Sequence, residues 1–160
     1  MQSVKIIISL IVFYFLAVFQ ASYLIHFKIV GGIWNPILVA IIFLNFFEKY
    51  KDKSGLVMGG LAGFYLDLFS SYFFGFFTLI GILVAFAIKS IKPLLETKRF
   101  ISFALVLFSC LLFYEISITL AMVTRGLSFN VFSIIINFLA GIIIYWTLRL
   151  FNVPSRKKIR

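Results

Sequence analysis

The chain has 160 residues, 63% of them hydrophobic and only 12% charged, against about a quarter charged in an ordinary soluble domain. Its mean hydropathy is +1.15, and a soluble fold of this length cannot hide that much apolar surface. The formal charge of +10 would point to nucleic acid in a soluble protein, but the Lys and Arg residues stand between apolar runs and at the C-terminus. They report topology, and nucleic acid is excluded as the expected partner.

Six apolar runs follow in chain order, at residues 6–25, 33–47, 55–71, 73–88, 100–123 and 129–150. The first and last hold 20 or more residues, enough to cross a hydrocarbon layer of about 30 Å as helix. The first run follows Lys5. It exceeds the usual apolar length of a secretory signal and no A-x-A-like site follows it, so it reads as a retained span. His26, the one histidine, falls at its outer end and reads as an interface residue.

Gly31 and Gly32 mark a turn before the second run, which opens with Trp34, Asn35 and Pro36. Trp favours the membrane interface and Pro suits the first helical turn. A basic loop over residues 48–53 leads into a stretch from Gly55 to Ile88 that Asp67 alone interrupts. As one helix it would measure about 50 Å, too long for a single span. Ser70, Ser71 and Tyr72, with Gly75 just beyond, supply the turn chemistry that divides it into a hairpin.

The basic residues support that division. With six spans, Lys5, the Lys49 to Lys53 loop, Lys89, Lys92, Lys98, Arg99 and the five basic residues from Arg149 onward share the cytoplasmic side. Only Lys28 and Arg125 face out. The expected fold is an all-α integral membrane bundle of six transmembrane helices with both ends inside, forming a single domain. The outer loops are short, no segment remains for a soluble domain, and the basic tail at 152–160 lies on anionic lipid or acts only as a topology signal.

Asp67 and Glu115 stand within spans, where an ionisable group costs about 2.5–3.5 kcal/mol unless it faces protein or water. On the third span Gly60, Gly63, Asp67 and Ser71 share a face at 100° per residue. Gly55, Gly59 and Gly63 make two overlapping small-xxx-small steps, the spacing that lets membrane helices approach closely. Asn130, Ser133, Asn137 and Gly141 form a similar face on the sixth span. Counted at 1.5 Å per residue, Gln20, Asp67, Glu115 and Asn137 reach a common depth roughly 20 Å from the cytoplasmic side. Three readings of this polar layer stay open: a structural hydrogen-bond network, a docking site for a partner helix, and a small-molecule or ion pocket.

The sequence contains no nucleophile–base–orienter set, no metal-ligand spacing and no phosphate-binding loop. Cys110, inside an apolar run, reads as a small buried hydrophobe with no disulfide or metal role. The expectation is a protein without a catalytic centre, cofactor or metal.

The segment from Asn35-Pro36 through the basic loop Glu48 to Lys53 and the run GLVMGGLAGFYLDLFSSYFFGFFTL at 55–79 resembles the rod shape-determining MreD family. That family joins a Gly-rich span, an apolar-Asp-apolar segment matched at Asp67, a short Ser/Gly turn, and a Gly, here Gly75, that opens the next span. The sequence departs from the pattern at Phe74, where the family often has Pro. The resemblance implies a non-enzymatic scaffold in the bacterial inner membrane. It would serve the complex that builds lateral wall peptidoglycan, beside MreC and, through it, MreB, RodA and a class B penicillin-binding protein. The MreD fold is in turn similar to the S components of energy-coupling-factor vitamin transporters. That gives an alternative, a small-molecule-binding subunit that docks through an Ala-xxx-Ala step such as Ala17 to Ala21.

Overall fold

The computed structural model describes residues 2–24, 33–50, 52–70, 73–95, 100–121 and 129–150. Among them the chain is all-helical. Helix α1 spans Gln2–Phe19 and continues as a π-helical turn over Gln20–Leu24. It is followed by α2 (Pro36–Phe47), α3 (Ser54–Phe69), α4 (Phe76–Ile91, with a 3-10 turn over Lys92–Leu94), α5 (Phe100–Ala121) and α6 (Val131–Leu150). Six helices therefore stand where the six apolar runs predict them. Residues Ser71 and Tyr72 of the expected hairpin lie outside the described residues. So do His26, Lys28, Gly31, Gly32, Arg125 and the tail at 152–160.

Local chemistry sets the helix boundaries. The side chain of Asn35 accepts a hydrogen bond from the Leu38 amide at 3.0 Å and Pro36 occupies the first turn, so α2 starts with a side-chain cap and a residue that lacks the orphan N–H. Helix α4 begins three residues later than the sequence suggests. Gly75 adopts φ +93°, a left-handed conformation that glycine enters without steric cost, and the helix follows it.

Among the described residues three helices are long and apolar enough to cross a membrane: α4 with its 3-10 turn, α5 and α6. The 12 residues of α2 and the 16 of α3 reach only about 18 and 24 Å. Helix α2 is the hub of the bundle and touches each of the other five helices. Ile37, Leu38, Ile41, Ile42 and Phe46 of α2 are almost wholly buried, against Val84 and Ile88 of α4 and Phe103 and Leu107 of α5 in one core. Helices α3 and α4 form the most intimate pair, α1 lies along α3, and α6 packs on α5. The rings of Phe103 and Tyr145 stack at 4.9 Å and join α5 to α6, with Phe46 of α2 edge-on to Phe103 at 5.3 Å.

The outward surface is apolar as well. Ile11 on α1, Leu44 on α2, Val57 on α3, Leu79 on α4, Leu105 on α5 and Ile143 on α6 are all exposed. A monomeric soluble protein rarely leaves contiguous apolar patches beyond a few hundred Å².

Candidate functional site

Three acidic side chains organise the polar interior, each joining the end of one helix to the start of the next. Asp67, in the last turn of α3 and 4% exposed, points at the N-terminus of α4. One carboxylate oxygen accepts the Phe77 amide at 2.8 Å. The other accepts the Thr78 amide at 3.0 Å and the Thr78 hydroxyl at 2.6 Å. The first amides of a helix have no partner within it and carry the positive end of its dipole, so a carboxylate is the group that best satisfies them. Gly75, at the N-cap position, has no side chain to do so.

Glu48 performs the same task at the opposite end of the bundle. It follows α2 directly, and its two carboxylate oxygens accept the Gly55 amide at 3.0 and 2.8 Å while the Ser54 hydroxyl donates to one of them. Lys89 of α4 pairs with the same carboxylate at 2.7 Å, both side chains being nearly buried. The Lys92 ammonium donates to the backbone carbonyls of Glu48 and Asn45, the latter at 3.2 Å. Asn45 completes the node by donating to the Gly55 carbonyl at 3.1 Å. The ends of α2, α3 and α4 are thus tied by one acid, two lysines and one amide.

The third acid, Glu115 of α5, accepts the Asn130 amide at 3.1 Å, and the Asn130 side chain accepts the Ser133 amide at 3.2 Å to cap α6. One turn further along α6, Asn137 accepts the Asn35 amide at 2.6 Å and donates to the Ile33 carbonyl at 2.9 Å. The Asn35 side chain donates to the Tyr114 hydroxyl at 2.6 Å. Asn130, Ser133, Asn137 and Gly141 do turn toward the bundle: Asn137 and Gly141 are buried, and a Cβ on Gly141 would strike the Leu107 side chain.

The four residues expected to share a layer are partly brought together. Glu115 and Asn137 belong to this α5–α6–α2 network. Asp67 lies about 18 Å along α3 from Gly55, close to the rise of about 20 Å that separates Asn35 from Glu48 along α2. The Phe77 ring, whose amide Asp67 holds, stacks on Tyr114 at 6.3 Å and bridges the two sets. Gln20 does not join: its side-chain oxygen is buried in the π-helical turn without a hydrogen-bond partner.

The glycines divide by role. Gly59 and Gly81 meet backbone to backbone, and a Cβ on Gly63 would strike the Phe77 carbonyl, so these three set the close α3–α4 crossing. A Cβ on Gly55 would collide with the Asn45 and Glu48 side chains, which hold its carbonyl and its amide respectively. Gly60 faces α4 more loosely: a Cβ there would meet only the Ile82 side chain, at 3.2 Å.

Sequence reasoning missed Glu48, Asn45, Lys89, Lys92, Tyr114, Thr78 and Gly81 as members of polar or close-packed sites. The signal for Glu48 was an acid at the head of a lysine-rich loop, immediately after an apolar run and shortly before a Ser-Gly helix start. Among the described residues no three His, Cys, Asp or Glu side chains come together. Comparison with known protein families, with curated proteins and with solved structures finds no match to this chain.

Proposed function

We propose that this protein is a non-enzymatic, multi-pass scaffold of the bacterial cytoplasmic membrane that supports lateral peptidoglycan synthesis and rod shape through helix–helix contacts with partner membrane proteins. In this reading all six helices pack within the bilayer, with both termini in the cytoplasm. The partners are those the MreD resemblance implies: an MreC-like protein and, through it, MreB, RodA and a class B penicillin-binding protein.

The observation that carries the reading is the way the resembling segment is used. Residues 55–79, which hold the Gly-rich run, Asp67 and Gly75, make up α3 and the start of α4. Each signature residue has a part there, with Gly59 and Gly63 in the helix crossing, Asp67 as the cap of α4 and Gly75 in the left-handed turn.

Three further features support a membrane setting. Three helices have the length and composition to cross, the outward surface is apolar on all six, and thirteen of fifteen basic residues collect on one side in the six-span arrangement. The short helices α2 and α3 fit the same setting because Asn35 and Glu48 cap their first turns and Asp67 caps the helix that follows. Non-helical backbone at membrane depth is tolerated where protein groups satisfy it.

The transporter-subunit alternative has less support. Its docking step would need Ala17 and Ala21 at the surface, whereas Ala17 is 0% exposed within the bundle core. Deleting the gene in its rod-shaped host tests the choice. Loss of elongated shape with normal uptake of small nutrients fits the scaffold, whereas a vitamin requirement in cells of normal shape would overturn it.

A further inference from the structure

We infer that the turn between α3 and α4 stops short of the far aqueous phase and lies among the acyl chains of the outer leaflet, so that this hairpin enters the bilayer from the cytoplasmic side without emerging. The inference rests on the membrane reading above and concerns how deep one of its parts reaches.

Depth is the first argument. Lys53 is exposed at the start of α3 and fixes that end of the helix near the cytoplasmic interface. From there α3 rises about 24 Å over its 16 residues, roughly one helical turn less than a hydrocarbon thickness of about 30 Å. From Phe76 down to Lys89, which pairs with Glu48 beside the start of α3, α4 descends only about 20 Å, its 3-10 turn continuing past that node, whereas α5 and α6 run 22 and 20 residues as unbroken α-helix.

The chemistry of the turn is the second argument. Phe73 and Phe74 are 75% and 70% exposed, among the most exposed large apolar side chains of the protein, and Phe69 beside them is also exposed. No charged residue falls between Asp67 and Lys89, and the charge of Asp67 is turned inward. The amides at the two helix ends described here are also held from within. The amides of Phe76, Phe77 and Thr78 are held by the Phe73 carbonyl and the two Asp67 oxygens, and the Ser70 amide is held by the Asp67 carbonyl. In water a helix start can leave these donors to solvent; in hydrocarbon it cannot. Exposed phenylalanines beside helix-end amides held from within are what an acyl-chain environment demands.

Collision accessibility of nitroxide labels on the full-length chain in lipid nanodiscs tests this. In a Cys110→Ala background, single cysteines replace Phe73 or Phe74 at the turn. Leu105, lipid-facing in the middle of α5, and Lys53 serve as references. The expected result is that a label at either turn position collides with oxygen as often as at Leu105, and with a water-soluble nickel chelate several-fold less often than at Lys53. Nickel collisions at the turn equal to those at Lys53 would overturn the inference, as would shielding from both reagents, which would mean that protein covers the turn. If Leu105 itself collides freely with nickel, the membrane reading fails rather than the depth assigned to the turn.

Discussion

Asp67 and Thr78 are joined twice: one carboxylate oxygen accepts both the backbone amide and the hydroxyl of Thr78, at 3.0 and 2.6 Å, while its twin accepts the neighbouring Phe77 amide. An acid that costs free energy to place in an apolar span is therefore spent on the start of the next helix. Glu48 and Glu115 repeat the device between α2 and α3 and between α5 and α6. Short apolar helices can then turn inside the bundle without exposing orphan amides.

The node around Glu48 makes a quantitative prediction. Glu48→Gln leaves the Lys89 ammonium nearly buried without its counter-ion, which costs about 3–5 kcal/mol for a buried pair. Lys89→Met in the same background removes the stranded charge and recovers part of the loss. Reversible unfolding in mixed micelles should give a double-mutant coupling of about 0.5–3 kcal/mol. Simple additivity of the two changes would show that the pair is not formed.

The glycines of α3 should not respond alike. Gly63→Ala and Gly81→Ala drive a methyl group into facing backbone and should destabilise by about 1–3 kcal/mol, the usual penalty for overpacking. Gly60→Ala meets only the movable Ile82 side chain and should be close to neutral, helped by the better helix propensity of Ala. Equal losses at Gly60 and Gly63, read from the same unfolding transitions, would contradict the assigned crossing.

At the Asn35 end, Asn137→Leu removes the acceptor of the Asn35 amide and the donor to the Ile33 carbonyl. Tyr114→Phe removes the acceptor of the Asn35 side chain. Each change leaves a buried polar group short of a partner and should cost about 1–3 kcal/mol. Gln20→Leu makes the contrast. Its side-chain oxygen has no partner, so the substitution should be neutral or stabilising in thermal melts.

Reporter enzymes fused at the two termini test the topology proposed for the membrane. Both should read cytoplasmic, with thirteen of fifteen basic residues on that side. A periplasmic reading at the C-terminus would rule out an even number of crossings.

Much of the helix pattern was legible because long apolar runs, a Pro at the start of α2 and a left-handed glycine before α4 are local signals. The inward faces of α3 and α6 followed from helical periodicity, which brought Asp67 and Asn137 to notice. Their partners were not legible. Phe77 and Thr78 present backbone and hydroxyl groups that any sequence supplies, and the bonds from Asn137 to Asn35 and Ile33 cross about a hundred positions of chain. Glu48 was hidden for a different reason: in a loop of alternating charges its acid reads as solvated, and only folding places it between Gly55 and Lys89. Gln20 was legible as a polar residue of the first run, but not that its side-chain oxygen would be buried at a π-helical turn without a partner.

The central claim, that Asp67 locks α3 to the start of α4 inside the chain, is tested most directly by comparing Asp67→Asn with Asp67→Leu in reversible unfolding of the purified protein. The Asn side chain keeps one acceptor oxygen and should lose about 1–2 kcal/mol. The Leu variant strands two amides and a hydroxyl and should lose at least about 3 kcal/mol, since hydrogen bonds to a charged group are worth roughly 1.5–3 kcal/mol each. A Leu variant that unfolds within about 0.5 kcal/mol of the parent, the range of an ordinary surface substitution, would contradict the account.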